Sequence, residues 1–357
     1  MRPLIAQLVL AGTVLAAAST WAETLLVVRK SADALDFVDP GSGLRLATVA
    51  VGHAPHEVSV APDGRRAAVT SYGTRERPGS TLSIVDLEQP RELARIDLAP
   101  HSRPHGVAWF AADRIAVTAE GSRQLLVVDP EAGRVVLAVP TGAETSHMVA
   151  VTTDGARAFV ANLGSGTTTA VDLAAGRRMG ELPTGEGSEA LALSPDGREL
   201  WVGAREAGRV TIVDMDRLDI GATVNVPGAP IRIAFAPDGA TAFVSCAGSG
   251  ELAAIDTATR RERARMKIDV PLAADAGRRP YARLAAGSVL PVGLRVSRDG
   301  RSVYVAATMG DAVVRLDAGS LALQQTIAIE GEPDGLGVTD VLPRAECHAC
   351  SADDAAR

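Results

Sequence analysis

One short pattern recurs along the whole chain: a run of apolar residues that ends in an aspartate and leads into a polar turn. Clear copies are Leu82–Asp86, Leu125–Asp129 and Val210–Asp214. The aspartates that end the seven copies are Asp39, Asp86, Asp129, Asp172, Asp214, Asp256 and Asp317. They are separated by 47, 43, 43, 42, 42 and 61 residues, so the period is near 43 with two insertions. Such a period constrains the fold of the whole chain, because each repeat must be one structural unit.

Each repeat contains the material for four short strands. Two β-rich runs precede each apolar run and are joined by a turn such as Pro62-Asp63-Gly64, in which Asp-Gly supplies the positive φ of a tight hairpin. A fourth run follows each aspartate, as in residues 134–139. Four antiparallel strands in about 40–45 residues is the spacing of a β-propeller blade. A parallel β-helix would need shorter coils, and helical repeats would need a 3.6-residue apolar stripe that the sequence does not show.

The two ends of the repeat array complete each other. The chain enters the array midway through a unit, at residues 25–28, with no first strand before it. Residues 332–338 resemble a first strand with nothing after it. Pairing these segments would complete a seventh blade and remove the exposed sheet edges of an open array. We therefore predict an all-β fold: a seven-bladed β-propeller with four antiparallel strands per blade, closed by the N- and C-terminal segments in one blade.

Short motifs in the second strand of several repeats carry a family resemblance. They are Ala68-Val69-Thr70-Ser71, Phe159-Val160-Ala161-Asn162, Trp201-Val202-Gly203-Ala204 and Tyr304-Val305-Ala306-Ala307, and each precedes an apolar run that ends in Asp. These motifs resemble the YVTN repeat over roughly residues 23–341. The resemblance implies a seven-bladed propeller of a kind often secreted by bacteria and archaea. It indicates the fold but not the function, because propellers host unrelated activities.

The N-terminus has the pattern of a secretory signal. Arg2 is followed by an apolar run over residues 4–18 and then by small residues up to Ala22. A run of about 15 residues is shorter than the ~20 that a membrane-spanning helix needs. We predict a signal peptide over residues 1–22, a propeller over residues 23–341 and a polar tail over residues 342–357, with a periplasmic or secreted mature protein and no later membrane span.

Charge restricts the partners of the chain. The 36 Lys and Arg residues face 43 Asp and Glu, a formal net charge of −7, which repels phosphate backbones and anionic lipid. The 11 aromatic residues are spread singly and offer no stacking platform for single-stranded nucleic acid. The basic stretch Arg260–Arg283 could bind an acidic partner or nucleic acid, although such a run is more often a solvent-exposed face without a partner.

The terminal aspartates and the cysteines favour structural roles. An aspartate at a strand end accepts hydrogen bonds from the amides of the turn, so we expect caps at the propeller rim rather than a calcium ring. Cys347 and Cys350 lie in a Cys-His-x-Cys tail that could close a disulfide or take a soft metal ion. Cys246 is expected to be a buried small apolar residue.

The histidines are clustered in sequence and in register. Five of the six lie between residues 53 and 147. When the repeats are aligned, one position opens the innermost strand of each blade, and it holds His56, His105, His147, Glu189, Ile231, Val292 and Asp334. By analogy with the fold, this position faces the mouth of the central channel. We therefore predict a ligand site formed by His56, His105, His147, Glu189 and Asp334.

Three imidazoles with an oxygen donor are a common ligand set for zinc or copper. His56, His105 and His147 are thus candidate ligands for a divalent transition metal. The alternative is that these histidines are packing residues, bonded to a neighbouring loop or to water in the channel. His53 and His101, in the preceding loops, would support the site or be solvated.

Two classes of function remain open. The first is a secreted binding or scaffold protein for an unidentified periplasmic protein or small ligand. The second is a subunit or accessory protein of a periplasmic redox system, because similar propellers occur in quinone- and haem d₁-dependent enzymes. The Gly-Ser-Gly segments at residues 164–166 and 248–250 occupy turns rather than a nucleophile elbow, so we assign no catalytic residue.

Overall fold

The computed structural model describes residues 23–344, which form seven four-stranded antiparallel sheets. The predicted seven-bladed β-propeller, including its closure, is confirmed. The predicted signal peptide and the cysteines Cys347 and Cys350 lie outside the described residues. No helix within residues 23–344 has the length and apolar character needed to cross a membrane.

Each blade runs from an innermost strand at the channel to an exposed outer strand. Blade 1 contains β1 (Thr24–Arg29), β2 (Ala34–Val38), β3 (Arg45–Ala50) and β28 (Pro333–Thr339). Blade 2 contains β4 (Pro55–Val60), β5 (Arg66–Gly73), β6 (Pro78–Asp86) and β7 (Arg91–Asp97). Blade 3 contains β8 (Pro104–Ala111), β9 (Arg114–Ala119), β10 (Gln124–Asp129) and β11 (Arg134–Pro140). Blade 4 contains β12 (Ser146–Val151), β13 (Arg157–Asn162), β14 (Thr167–Asp172) and β15 (Arg177–Leu182).

The remaining three blades follow the same plan. Blade 5 contains β16 (Ser188–Leu193), β17 (Glu199–Ala204), β18 (Arg209–Asp214) and β19 (Asp219–Asn225). Blade 6 contains β20 (Pro230–Phe235), β21 (Thr241–Cys246), β22 (Glu251–Asp256) and β23 (Arg261–Lys267). Blade 7 contains β24 (Pro291–Val296), β25 (Ser302–Ala307), β26 (Ala312–Asp317) and β27 (Leu323–Ala328). One α-helical turn, α1 (Ala282–Ala285), and three 3₁₀ turns, Lys30–Ala32, Ala276–Arg278 and Thr308–Gly310, complete the described elements.

The terminal aspartates stabilise the turns between the third and fourth strands. In blade 2, Asp86 Oδ1 accepts hydrogen bonds from the backbone N–H groups of Glu88 and Gln89 at 2.9 and 3.0 Å. All seven aspartates accept at least one such bond from their own turn. The aspartates therefore act as the turn caps expected from the sequence.

The hydrophobic core lies between successive blades. In one layer, Trp201 of blade 5 packs with Ile233 and Val244 of blade 6, and all three side chains are buried. Because each sheet buries both faces against its neighbours, a blade is stable only within the ring. Cys246 is part of this layer and is fully buried, as the sequence indicated.

Closure of the ring depends on β28, which pairs with β1 in antiparallel register from Leu25 opposite Val338 to Val27 opposite Leu336. After β28 the chain leaves on the face opposite the histidine-bearing loops. There, Thr339 Oγ1 donates to the carbonyl of Gly64, and Arg344 N–H donates to that of Glu88. The described part of the C-terminal tail therefore runs away from the channel mouth.

The long insertion before blade 7 covers part of the channel mouth rather than forming a free cationic arm. Its Ala276, Ala285 and Leu290 pack on Ile231 and Met309. Three of the eight basic residues between Arg260 and Arg283 form ion pairs with carboxylates of residues 23–344. These ion pairs join Arg279 to Asp275 and Asp311, Arg260 to Glu199, and Arg265 to Glu251 and Glu262. For the rest of the basic stretch, the choice between a partner surface and a solvated face stays a prediction.

Close packing of the inner strands yields a first prediction. A Cβ added to Gly293 would lie 1.9 Å from the carbonyl oxygen of Asp334 on the next inner strand. We expect Gly293→Ala to lower the free energy of unfolding by about 1–3 kcal/mol, because two backbones would be forced apart. Gly180→Ala is the matched control, since Gly180 lies in β15 with no atom near its added Cβ. Urea unfolding measures both, and equal stabilities would contradict this close contact.

Candidate ligand site at the channel mouth

The position that opens each innermost strand lines a single cavity. The residue before this position has an equivalent partner on the second strand of its blade. Pro55 pairs with Ser71 in blade 2, and Pro104 pairs with Ala119 in blade 3. The seven residues at this position line a cavity of about 250 Å³: His56, His105, His147, Glu189, Ile231, Val292 and Asp334. The structure thus brings together every residue that the sequence analysis assigned to the site.

The chain reaches this position through an unusual backbone conformation. The residue two places before each of these side chains has a positive φ in all seven blades: Ala54, Arg103, Thr145, Gly187, Ala229, Leu290 and Glu332. Left-handed φ costs a residue with a side chain about 1 kcal/mol. Because the conformation is shared by all blades, it belongs to the crossing between blades and presents any side chain at this position to the channel.

Hydroxyl groups on the second strands hold the histidine backbones. Thr70 Oγ1 donates to the carbonyl of His105 at 2.9 Å, and Thr118 Oγ1 donates to that of His147 at 2.6 Å. A Cβ at Gly106 would lie 2.6 Å from the same His147 oxygen, so glycine permits the close approach of blades 3 and 4. As a result, the rings of His105 and His147 stack with their centroids 3.7 Å apart.

His147 lies between two carboxylates. Its Nδ1 is 2.5 Å from Glu120 Oε1 and its Nε2 is 3.4 Å from Glu189 Oε1. Burial alone would lower the pKa of His147, but the bonds to Glu120 and Glu189 raise that pKa to about 9. Burial alone would raise the pKa of Glu189, but His147, Arg205 and Arg232 lower that pKa to about 2. His147 is therefore an imidazolium at neutral pH.

The other two histidines are neutral. Burial, together with nearby positive charge, holds the pKa of His56 and of His105 well below the ordinary value. His105 Nδ1 is buried and has no hydrogen-bond partner among the described residues. His56 turns the other way, with Nδ1 3.4 Å from Asp334 Oδ2, which also lies 3.2 Å from Lys30 Nζ. Burial raises the pKa of Asp334.

The arrangement of donor atoms favours a set of metal ligands that differs from the three histidines. One ligand atom from each of His105, Glu120 and His147 lies within 4.8 Å of the others. The ring of His56 stands 5.0 Å from that of His105, centroid to centroid, and points to Asp334. A carboxylate from Glu120 thus occupies the place that the sequence analysis gave to a third imidazole.

Several residues of the cavity were missed from the sequence. Glu120 belongs to a second set of aligned residues, at the ends of the second strands: Lys30, Tyr72, Glu120, Leu163, Arg205, Ala247 and Thr308. Tyr72 is the penultimate residue of its strand, the other six follow their strands, and the first five of the seven line the cavity. Aligning the repeats on this position would have exposed its charged and phenolic members. Tyr281 enters from the insertion and lies under Lys30 Nζ at 4.0 Å. Tyr281 could not be predicted from the repeat pattern, because the insertion has no counterpart in the other blades.

Arg232 was also missed. It follows Ile231 in β20, donates from Nη2 to Glu57 Oε1, and thereby joins blade 6 to blade 2 across the channel. The sequence signal for this pair was that Glu57 and Arg232, which have opposite charges, each directly follow the aligned position. Both side chains are buried.

Two predicted supporting residues lie outside the cluster. His53 Nδ1 is 3.2 Å from Asp33 Oδ2, and His101 Nδ1 is 3.0 Å from Ser122 Oγ. Neither histidine lines the cavity.

The carboxylate-bound imidazolium predicts a specific pH dependence of stability. Because the folded pKa of His147 is about 9, above the ordinary value of ~6.5, the contribution of its proton to stability is complete below pH ~6.5 and is lost as the pH rises through about 9. We expect the stability difference between wild type and His147→Gln to shrink by up to about 3 kcal/mol from pH 6 to pH 10.

Urea unfolding of chelator-treated protein measures this difference. His101→Gln, outside the cavity, is the matched control. A difference that is constant or that grows with pH would contradict an imidazolium held by Glu120 and Glu189.

Comparison with known proteins supports the fold but does not identify a function. No protein-family model matches the chain, and no curated protein matches it. It is similar to a chain of Kuenenia stuttgartiensis hydrazine synthase, with a TM-score of 0.68 and 18% identity over 83% of this chain and 92% of that chain. It is also similar to a functionally unknown protein from Desulfotomaculum acetoxidans DSM 771, with a TM-score of 0.72 and 12% identity over 90% of this chain and 99% of that one. At these identities the likeness establishes the propeller fold alone.

Proposed function

We propose that this protein is a secreted propeller of the YVTN-repeat type that binds a divalent transition metal, zinc or copper, at its channel mouth. The observation that carries the proposal is the convergence of His105, Glu120 and His147 at a buried cavity, with donor atoms within 4.8 Å of one another. Secretion rests on the signal-like pattern of residues 1–22.

The three groups differ in how ready they are to bind metal. His105 is neutral and offers an unpartnered Nδ1, so it needs no proton loss. His147 must release a proton, which the metal would replace between the same carboxylates. Donor atoms around a tetrahedral zinc ion lie about 3.4 Å apart, given bonds of ~2.0–2.1 Å to nitrogen, so a small inward shift completes the set.

Tyr72 supports this set from behind. Its hydroxyl donates to Glu120 Oε2 at 2.6 Å, which leaves Oε1 directed at His147. Such outer hydrogen bonds orient metal ligands and raise metal affinity. Tyr72 also packs against the His105 ring at a centroid distance of 5.4 Å.

Metal titration tests the proposal. Chelator-treated protein titrated with Zn²⁺, and separately with Cu²⁺, is expected to bind about one equivalent in a calorimeter. We expect His105→Ala and Glu120→Gln to weaken binding by at least about 100-fold, and Tyr72→Phe by about 10- to 100-fold. His53→Ala is the matched control, since it removes a histidine that lies outside the cavity. A wild type without binding, or variants that all match it, would refute the metal site.

A second candidate is a subunit or accessory protein of a periplasmic redox system, of the quinone- or haem d₁-dependent type. The similarity to a chain of hydrazine synthase favours it. Purification of the mature protein with its native partners, followed by an absorption spectrum, separates the two candidates. A visible chromophore or a stoichiometric second subunit supports the redox role, whereas a colourless single chain that binds zinc supports the metal site alone.

A further inference from the structure

The cavity at the channel mouth has two chemically different sides. The three proposed metal ligands, His105, Glu120 and His147, belong to blades 3 and 4 and all line the cavity. In a closed ring of seven blades, blade 7 lies opposite the boundary between blades 3 and 4. On that side the cavity is lined by apolar and aromatic side chains of blade 6, of the start of blade 7 and of the insertion: Ile231, Leu290, Val292, Tyr281 and Leu284. A metal on one side of the cavity would thus face a hydrocarbon wall on the other.

The insertion that builds this wall is anchored to blade 7. Arg279 donates from Nη1 and Nη2 to the carboxylate of Asp311 at 3.0 and 2.7 Å, and from Nη1 to the carbonyl of Thr308 at 2.8 Å. Both acceptors lie between β25 and β26, and a bidentate pair of this kind fixes geometry as well as adding energy. Two residues further along, the Tyr281 ring lies 6.5 Å from the His56 ring, centroid to centroid. The wall is therefore held at the cavity.

The proposed metal ligands leave one coordination position to be filled. Structural zinc sites have four protein ligands, whereas a site with three protein ligands keeps a position for water or another ligand. The other two carboxylates that line the cavity are already paired. Glu189 Oε2 accepts from Arg205 Nη1 at 2.9 Å, and Asp334 Oδ2 lies 3.2 Å from Lys30 Nζ. The fourth ligand is therefore expected to come from outside the chain.

Charge and space restrict that outside ligand. A divalent metal held by Glu120 and two neutral imidazoles keeps one positive charge, which a carboxylate, an oxygen donor that zinc accepts, would balance. An apolar cavity of ~150 Å³ already admits benzene. The cavity at the channel mouth has a volume of about 250 Å³. It therefore has room for a hydrocarbon group of that size together with a carboxylate.

We propose that the channel mouth binds a small monocarboxylate with a compact hydrocarbon body. The carboxylate completes the coordination of the metal, and the body packs on Ile231, Val292 and Leu284. This inference rests on the metal site proposed above. Removal of the hydrocarbon body from water favours binding, and the metal fixes the carboxylate end, so the two sides of the cavity determine the direction in which the ligand lies.

Calorimetry tests the metal and the carboxylate in separate steps. Chelator-treated protein is first titrated with Zn²⁺, and the zinc-loaded protein is then titrated with benzoate, with acetate and with benzyl alcohol. Acetate has the carboxylate without the body, and benzyl alcohol has the body without the carboxylate. We expect benzoate to bind zinc-loaded protein at least tenfold more tightly than either of them. Benzoate should bind at least tenfold more weakly when zinc is absent.

A variant of the apolar wall tests where the body lies. In zinc-loaded Leu284→Asn, we expect the preference for benzoate over acetate to fall at least fivefold. Val292→Thr, which nearly keeps the volume of the side chain, should change the preference in the same direction and serves if Leu284→Asn does not fold. Leu272→Asn is the matched control, because Leu272 belongs to the same insertion, is 46% exposed and does not line the cavity.

The outcomes separate the two proposals. Failure of zinc to bind would refute the metal site and the carboxylate site together. Zinc binding with equal affinities for benzoate and acetate would overturn the carboxylate site alone, as would benzoate binding that does not need zinc. An unchanged preference for benzoate in both wall variants would also overturn it.

Discussion

The structure depends on seven inner strands that approach one axis closely enough for their backbones to touch. Pairing of β28 with β1 closes the ring, and the glycines Gly106, Gly293 and Gly335 leave room for the carbonyl groups of the next blade. Threonine hydroxyls then tie one blade to the following one. Without this closure, His56, His105 and His147, which are more than forty residues apart in sequence, would have no reason to meet.

The buried charges at the channel mouth are arranged mostly as pairs. Lys30 faces Asp334, Arg232 faces Glu57, and His147 lies between two glutamates. Removing one partner of such a pair leaves an uncompensated charge, so the pairs hold the mouth in one arrangement. His105 differs from these pairs, because its Nδ1 is buried without a hydrogen-bond partner among residues 23–344. This free nitrogen is part of the place where a metal is proposed to bind.

The propeller accepts chemically different side chains at the aligned position of the channel mouth. The aligned position holds three histidines, two acids and two aliphatic residues, while the strands beneath keep the same register. Apolar packing between sheets stabilises the blades, and the channel-facing residues are free to differ. The similarity to structures at 12–18% identity therefore supports the propeller fold only, whereas the function of this protein must be inferred from the residues that line its channel.

The sequence by itself determined the seven blades, their four strands, the closure of the ring and the common register of His56, His105 and His147. These features follow from local turn chemistry and a fixed period, both of which are written along the chain. Only the tertiary structure decided that Glu120 approaches His147 while His56 turns to Asp334, and that Arg232 crosses to Glu57. Such contacts depend on side-chain directions and on distances across the channel, and a one-dimensional repeat contains neither.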